Sequence, residues 1–209
     1  MEKRKIQDYD RVLIVEGYGD LLFYAEMLEH LGKHKGVFIQ HFNGKSDILT
    51  QLEVFITPQL LTEKKYIGVI VDADLNSQGT FASFQAAMEK ATGQKVPAAG
   101  EWTEGAEGTP RLGVFIAPDS ATQGEIETLV WRAWSSDPKN GPAKGCVDDF
   151  VCHMKEVGIE AKSPDKGLLG AFLAIRYDED PRLGPATRRG VFDLGHSEFA
   201  ALQEFLSRF

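Results

Sequence analysis

Two short apolar runs, each ending in carboxylates, constrain this chain more than any other feature. The first is Val12-Leu13-Ile14-Val15, followed by Glu16-Gly17-Tyr18-Gly19-Asp20. The second is Ile67-Gly68-Val69-Ile70-Val71, followed by Asp72-Ala73-Asp74. Short runs rich in Val and Ile predict strands buried on both faces, as in a parallel sheet covered by helices. In open sheets of that kind, ligands bind beyond the carboxyl ends of the strands. Two strands that both end there in carboxylates predict one acidic site. Its hard oxygen donors suit Mg²⁺, with Mn²⁺ as a substitute.

The sequence between and after the runs completes an alternation. Over residues 20–31, Leu21, Leu22, Tyr24, Ala25, Leu28 and Leu31 have helical spacing, and Gly32 marks a stop. Val37-Phe38-Ile39 predicts a second strand. The turn Phe42-Asn43-Gly44-Lys45-Ser46-Asp47 leads to a helix with Ser46 as N-cap. Apolar stripes predict helices over residues 80–91 and 123–136, and Leu112 to Ala117 predicts a further strand closed by Pro118-Asp119. The segment from about Thr92 to Pro110 is long for a loop, which predicts either mobility or function. The order β-α-β-α-β-α-β-α predicts an α/β, Rossmann-like, mostly parallel sheet flanked by helices over residues 1–136. Residues 137–209 carry three more helical stripes with no linker before them. They predict a C-terminal helical extension packed on the same core.

In extended backbone, side chains two apart point to one side, so Asp72 and Asp74 are placed as two ligands of one cation. Glu16 ends the neighbouring run, and Asp20 lies one helical turn beyond it, where an acidic residue also simply suits the helix dipole. A third acidic group, Asp119, Glu125 and Glu127, follows the last strand. Helical spacing over 123–136 sets Glu125 and Glu127 on different faces, so at most one of them faces the site. Without a cation such a set repels itself; the alternative is carboxylates that diverge, each solvated or paired with Lys or Arg. Lys45 and Lys166 are candidates to face a phosphate, against the ordinary expectation that lysines are solvated. Cys146 and Cys152 lack zinc-site spacing and predict reduced, partly buried residues. The histidines are scattered, and Gly17 and Gly19 lack the third glycine of a dinucleotide fingerprint.

The formal net charge is −8. That argues against gripping nucleic acid by bulk positive charge, but bound cations or a partner subunit would supply what the chain lacks. No apolar run approaches the ~20 residues of a membrane span. No signal-peptide apolar region follows the basic Met1-Glu2-Lys3-Arg4-Lys5, so a cytoplasmic protein without membrane contact is expected.

The two acidic strand ends, Leu13-Ile14-Val15-Glu16-Gly17 and Val69-Ile70-Val71-Asp72-Ala73-Asp74, resemble the two motifs of the Toprim domain in their proper order. Later segments are similar to stand-alone Toprim-like proteins related to OLD-family nucleases. They are Gly113 to Asp119 with Gly124-Glu125-Ile126-Glu127, Lys166-Gly167-Leu168-Leu169, and Phe192-Asp193 with the helix from Phe199 to Phe205. The resemblance implies a Mg²⁺-dependent nuclease acting on DNA or RNA. Glu16 would be a metal ligand or acid–base group, Asp72 and Asp74 metal ligands, and Glu127 rather than Glu125 a further ligand. The resemblance also favours Lys166 as the catalytic cation; by their places in the sequence alone, Asp20 would join Glu16 as a metal ligand and Lys45, in the glycine-containing turn, would contact substrate. The chain holds no tyrosine-bearing breakage module, primase zinc module or ATPase domain. A catalytically silent or partner-dependent module, working with a separate ATPase chain or as a homodimer, is therefore the alternative. An Asp-x-Asp at a strand end also begins some phosphatase sites.

Overall fold

The computed structural model describes residues 5–176 and 180–209. Strands β1 (Arg11–Val15), β2 (Val37–His41), β3 (Tyr66–Asp72) and β4 (Arg111–Ala117) form one sheet in the order β2-β1-β3-β4, with every neighbour parallel. Helix α1 (Tyr18–His30) joins β1 to β2, and α2 (Lys45–Phe55) and α3 (Pro58–Glu63) join β2 to β3. Helix α4 (Ser77–Thr92) joins β3 to β4, and α5 (Ile126–Ser136) follows β4. Helices α6 (Gly141–Glu156), α7 (Pro164–Arg176), α8 (Leu183–Arg188) and α9 (Ala200–Ser207) form the C-terminal extension. This is the α/β architecture that the alternating pattern predicts.

Both faces of the sheet are covered, which explains the unbroken apolar runs. Leu13, Val15, Ile70 and Phe115 face a core shared with α1, α5 and the extension; Val12, Ile14, Val69 and Val71 face a second core shared with α2, α3 and α4. The extension therefore packs on the sheet itself. Strand β1 leads outward to β2 on one side, while β3 and β4 lie on the other. The strand order thus reverses between β1 and β3, and the ligand crevice of such a sheet opens at that point.

Several local expectations change. Helix α2 begins at Lys45 behind Gly44, whose φ of 99° is open to glycine, so Ser46 lies inside the helix and does not cap it. Helix α3 adds a short turn, capped by Thr57 ahead of Pro58. Helix α5 starts three residues later than its apolar stripe suggests. Cys146 and Cys152 are both free and exposed on α6, not partly buried. The long segment before β4 is tied to the sheet. The Trp102 ring lies over the register partners Gly68 and Gly113, stacks on Phe205 with centroids 4.5 Å apart, and donates from Nε1 to the Phe205 carbonyl at 2.9 Å. Among the described residues, no helix is long and apolar enough to cross a membrane.

Candidate metal centre

The site grows from the reversal point. Glu16 follows β1, and its Oε1 accepts from the Asp72 amide at the end of β3, 2.7 Å away. The two motif strands are thus linked through their acidic ends. Asp72 Oδ1 in turn accepts from the buried Ile126 amide, the first of α5, at 2.9 Å. A carboxylate is stabilised there by the unpaired amides of the helix terminus.

Asp74 does not continue the strand. Strand β3 ends at Asp72, and Asp74 takes a left-handed φ of 50°, so the two-residue alternation expected for these carboxylates stops short of it. A second tie holds Asp74 in place: its backbone exchanges two hydrogen bonds of 2.9 Å with Gly124. Gly124 has φ 133°, and an added Cβ would lie 2.7 Å from Thr128 Oγ1, so this position admits only glycine without rearrangement. The same tie brings Glu125 to the site. Ligand oxygens of Asp72, Asp74 and Glu125 all lie within 4.8 Å of one another.

The structure thus places Glu125, not Glu127, beside the Asp pair. Glu125 is the N-cap of α5, with extended φ and ψ of −136° and 176°, so the helical periodicity that separates it from Glu127 does not apply. Both glutamates face the site, contrary to the expectation that at most one would. Lys166 Nζ lies 3.3 Å from Glu125 Oε2, 3.8 Å from Glu127 Oε2 and 4.0 Å from Asp72 Oδ2. Ser163, at the entry to α7, donates to Glu125 Oε2 at 2.6 Å. Neither Glu125 nor Ser163 stands out by helical spacing. The breaker Gly124 ahead of the apolar-periodic run is the signal that would place Glu125 outside the helix.

Lys45 pairs with the Asp74 carboxylate and donates to the Asp72 carbonyl at 2.9 Å, so it braces the acidic triad. Asp20 Oδ2 accepts from the Gly17 amide at 2.8 Å, the helix-start role, while its side chain borders Lys166 and Glu127. Asp119 closes its own turn through Thr122 and Ala121.

Six carboxylates here face two lysines. Burial pushes Glu16 up to about 7, with Asp20 and Asp74 adding to the rise and the Asp72 amide and Lys45 opposing it. Burial likewise lifts Glu127 to about 7 against the pull of Lys166. Asp72 is held well above the usual carboxylate range by burial first and then by Glu16, Glu127 and Asp20. Burial pulls Lys166 down, but Glu127, Asp72 and Glu125 together hold it above its ordinary value. Among the described residues, Glu127 Oε2 is a buried side-chain oxygen without a hydrogen-bond partner. An all-oxygen donor set with excess buried negative charge fits a hard divalent cation. Asp72, Asp74 and Glu125 would be its ligands.

The family described as "Protein of unknown function (DUF3226)" matches residues 10–209 of the chain. No curated protein and no solved structure matches it.

Proposed function

We propose that this chain, which belongs to the DUF3226 family, is a Mg²⁺-dependent phosphodiester-cleaving protein acting on nucleic acid in the cytoplasm. The observation that carries this reading is the convergence of Asp72, Asp74 and Glu125 within 4.8 Å at the reversal point of the sheet, with Lys166 beside them. The likeness of the two acidic strand ends to Toprim motifs supports phosphodiester chemistry in particular.

Held by that triad, Mg²⁺ would supply charge for the phosphoryl oxygens and acidify water. The chain's own residues do the rest. Lys166 presents an ammonium to the phosphate from the side of α7. Glu16 has Oε1 engaged by the Asp72 amide and keeps Oε2 to take or give a proton, which suits an acid–base group. Lys45 fixes Asp74.

Two readouts test this. Calorimetric Mn²⁺ binding is expected to weaken at least about 10-fold in Asp72→Asn, which keeps the shape of the side chain and its bond to Ile126. Mg²⁺-dependent cleavage of a labelled oligonucleotide is expected to fall at least about 100-fold in Asp72→Asn and in Glu16→Gln. Unchanged metal binding and unchanged cleavage in Asp72→Asn would sink the assignment.

A net charge of −8, with Lys45 and Lys166 both engaged by carboxylates, favours a second reading. In it, a separate ATPase chain supplies the basic surface that holds the nucleic acid. Full turnover by a purified monomer would rule that out.

A further inference from the structure

Strand β2 is an edge of the sheet, and its sequence does nothing to protect it. Val37-Phe38-Ile39-Gln40-His41 holds no Lys, Arg, Asp, Glu or Pro, the residues that normally blunt an exposed edge. The opposite edge is covered. There the segment 100–103 lies along β4, with the Gly100 amide donating to the Val114 carbonyl at 2.8 Å and the Thr103 amide to the Leu112 carbonyl at 2.9 Å. On β2, the Gly36 carbonyl accepts from Arg11 and the Phe42 amide donates to Val15, so the even-numbered positions face β1. The amides and carbonyls of Val37, Ile39 and His41 point the other way. Among the described residues these groups take part in one hydrogen bond, from Gln40 Nε2 to the His41 carbonyl at 2.5 Å. That oxygen keeps a second lone pair. A cavity of about 550 Å³ runs beside this edge, with Tyr9, Phe38 and Ile39 on one side and Leu21 and Ala25 of α1 on the other. All five keep part of their surface in solvent.

A second copy of β2, running antiparallel, matches this edge. The outward groups lie evenly about Ile39. With Ile39 opposite itself, Val37 falls opposite His41, and each outward amide meets an outward carbonyl, as in the hydrogen-bonded pairs of an antiparallel ladder. Side chains agree with that register. Ile39 meets its own copy on the face covered by α1, and Phe38 meets Gln40 on the other face. Charges beyond the strand agree as well. The exposed Lys35 falls opposite Asn43 of the partner subunit, and the Asn43 amide is itself held by Asp47 Oδ2 at 3.1 Å. Each lysine is thus brought towards a carboxylate, twice over by symmetry. Ala25, small and facing the cavity, leaves room for the same helix of the second copy. We propose that two copies of this chain join through β2, about an axis at Ile39, so that their four-stranded sheets form one continuous sheet. The joined strands run in opposite directions. The two acidic sites therefore open at opposite ends of the sheet, and the pairing covers neither.

Sedimentation equilibrium of the full chain at about 100 μM, where a contact of micromolar Kd is populated, is expected to give a dimer. Ile39→Cys, with the exposed Cys146 and Cys152 replaced by Ser, is expected to form an interchain disulfide under mild oxidation. Residues facing each other in a hydrogen-bonded pair have Cα atoms about 5.5 Å apart, within disulfide reach. Val54→Cys on α2, at a position 80% exposed, is expected to link at least about 10-fold less in the same background. Ile39→Pro removes an amide that points away from β1, where an edge strand admits proline, and is expected to give a monomer. Lys35→Glu, at an exposed position, is expected to weaken the dimer at least about 3-fold, and it decides the matter if Ile39→Pro fails to fold. A wild-type monomer at that concentration overturns the pairing, whether or not it takes up an extended peptide of another sequence. A dimer that Ile39→Cys links no better than Val54→Cys, or that persists undiminished in a folded Ile39→Pro or in Lys35→Glu, is held by another surface and overturns it equally.

Discussion

Glu125 and Glu127 are two residues apart and both reach Lys166, yet their positions give them different tasks. Glu125 caps the helix from outside it and joins the Asp pair; Glu127, inside α5, is left with a buried oxygen that faces Lys166 at 3.8 Å but has no hydrogen-bond partner. Glu125→Gln is therefore expected to weaken Mn²⁺ binding at least about 10-fold, and Glu127→Gln to change it little, as calorimetry would show. Glu127 leaves a second signature in stability. Its folded pKa of about 7 lies above its ordinary 4.5, so the folded state binds the proton more tightly than the unfolded chain. Stability is then lost as pH rises from about 4.5 to about 7 and is level above that. Glu127→Gln removes this loss. In chelator, the variant is expected to be more stable than the wild type at pH 8 by on the order of 2 kcal/mol, and no more stable at pH 4.5. Urea melts at the two pH values check this; an equal gain at both would place the cause elsewhere.

At the level of elements, sequence patterning is most legible where the packing is symmetrical. Strands β1 and β3 are buried on both faces, so their runs of Val and Ile are continuous. The carboxylates that end them stand out for that reason. Features that depend on a second element are less visible. Asp74 meets the site because Gly124 pairs with it across a turn, and Glu125 follows from that pairing, which no periodicity within residues 123–136 encodes. Thr57-Pro58 carries a helix-start signal for α3, but one short turn has too few apolar positions to form a stripe. Trp102 is the clearest case. Its segment reads as a loop because it has no repeat of its own; the ring is held by a slot that Gly68 and Gly113 open on adjacent strands. A Cβ at Gly113 would stand 2.8 Å from the Trp102 ring and 2.9 Å from Phe205. Gly113→Ala is expected to lower stability by about 1–3 kcal/mol through overpacking, read as a drop of several degrees in Tm. A melt matching the wild type would mean that the slot has room to relax.

For the molecule as a whole, the C-terminal extension completes both the fold and the site. Lys166 and Ser163 come from the extension, while the carboxylates they touch come from the sheet and α5. A chain ending near residue 136 would carry the acidic motifs and Lys45 without the Lys166 ammonium. The same extension covers one face of the sheet. Leu202, Phe205, Leu206 and Phe209 are at most 3% exposed, and Arg11 of β1 donates to the Phe209 carbonyl at 3.0 Å. Burying those four side chains contributes on the order of 8 kcal/mol, comparable with the entire stability of an ordinary domain. Removing residues 200–209 would also strip Phe205 and Phe209 from the Trp102 ring and leave its outer face bare. The shortened chain is accordingly expected to lose its cooperative thermal transition in circular dichroism and to bind Mn²⁺ no better than an unfolded polypeptide. A cooperative melt near the wild-type Tm after that deletion would mean that the sheet closes its core without α9. The extension's part in the site would then rest on α7 alone, and Lys166→Ala in the full-length chain would isolate it.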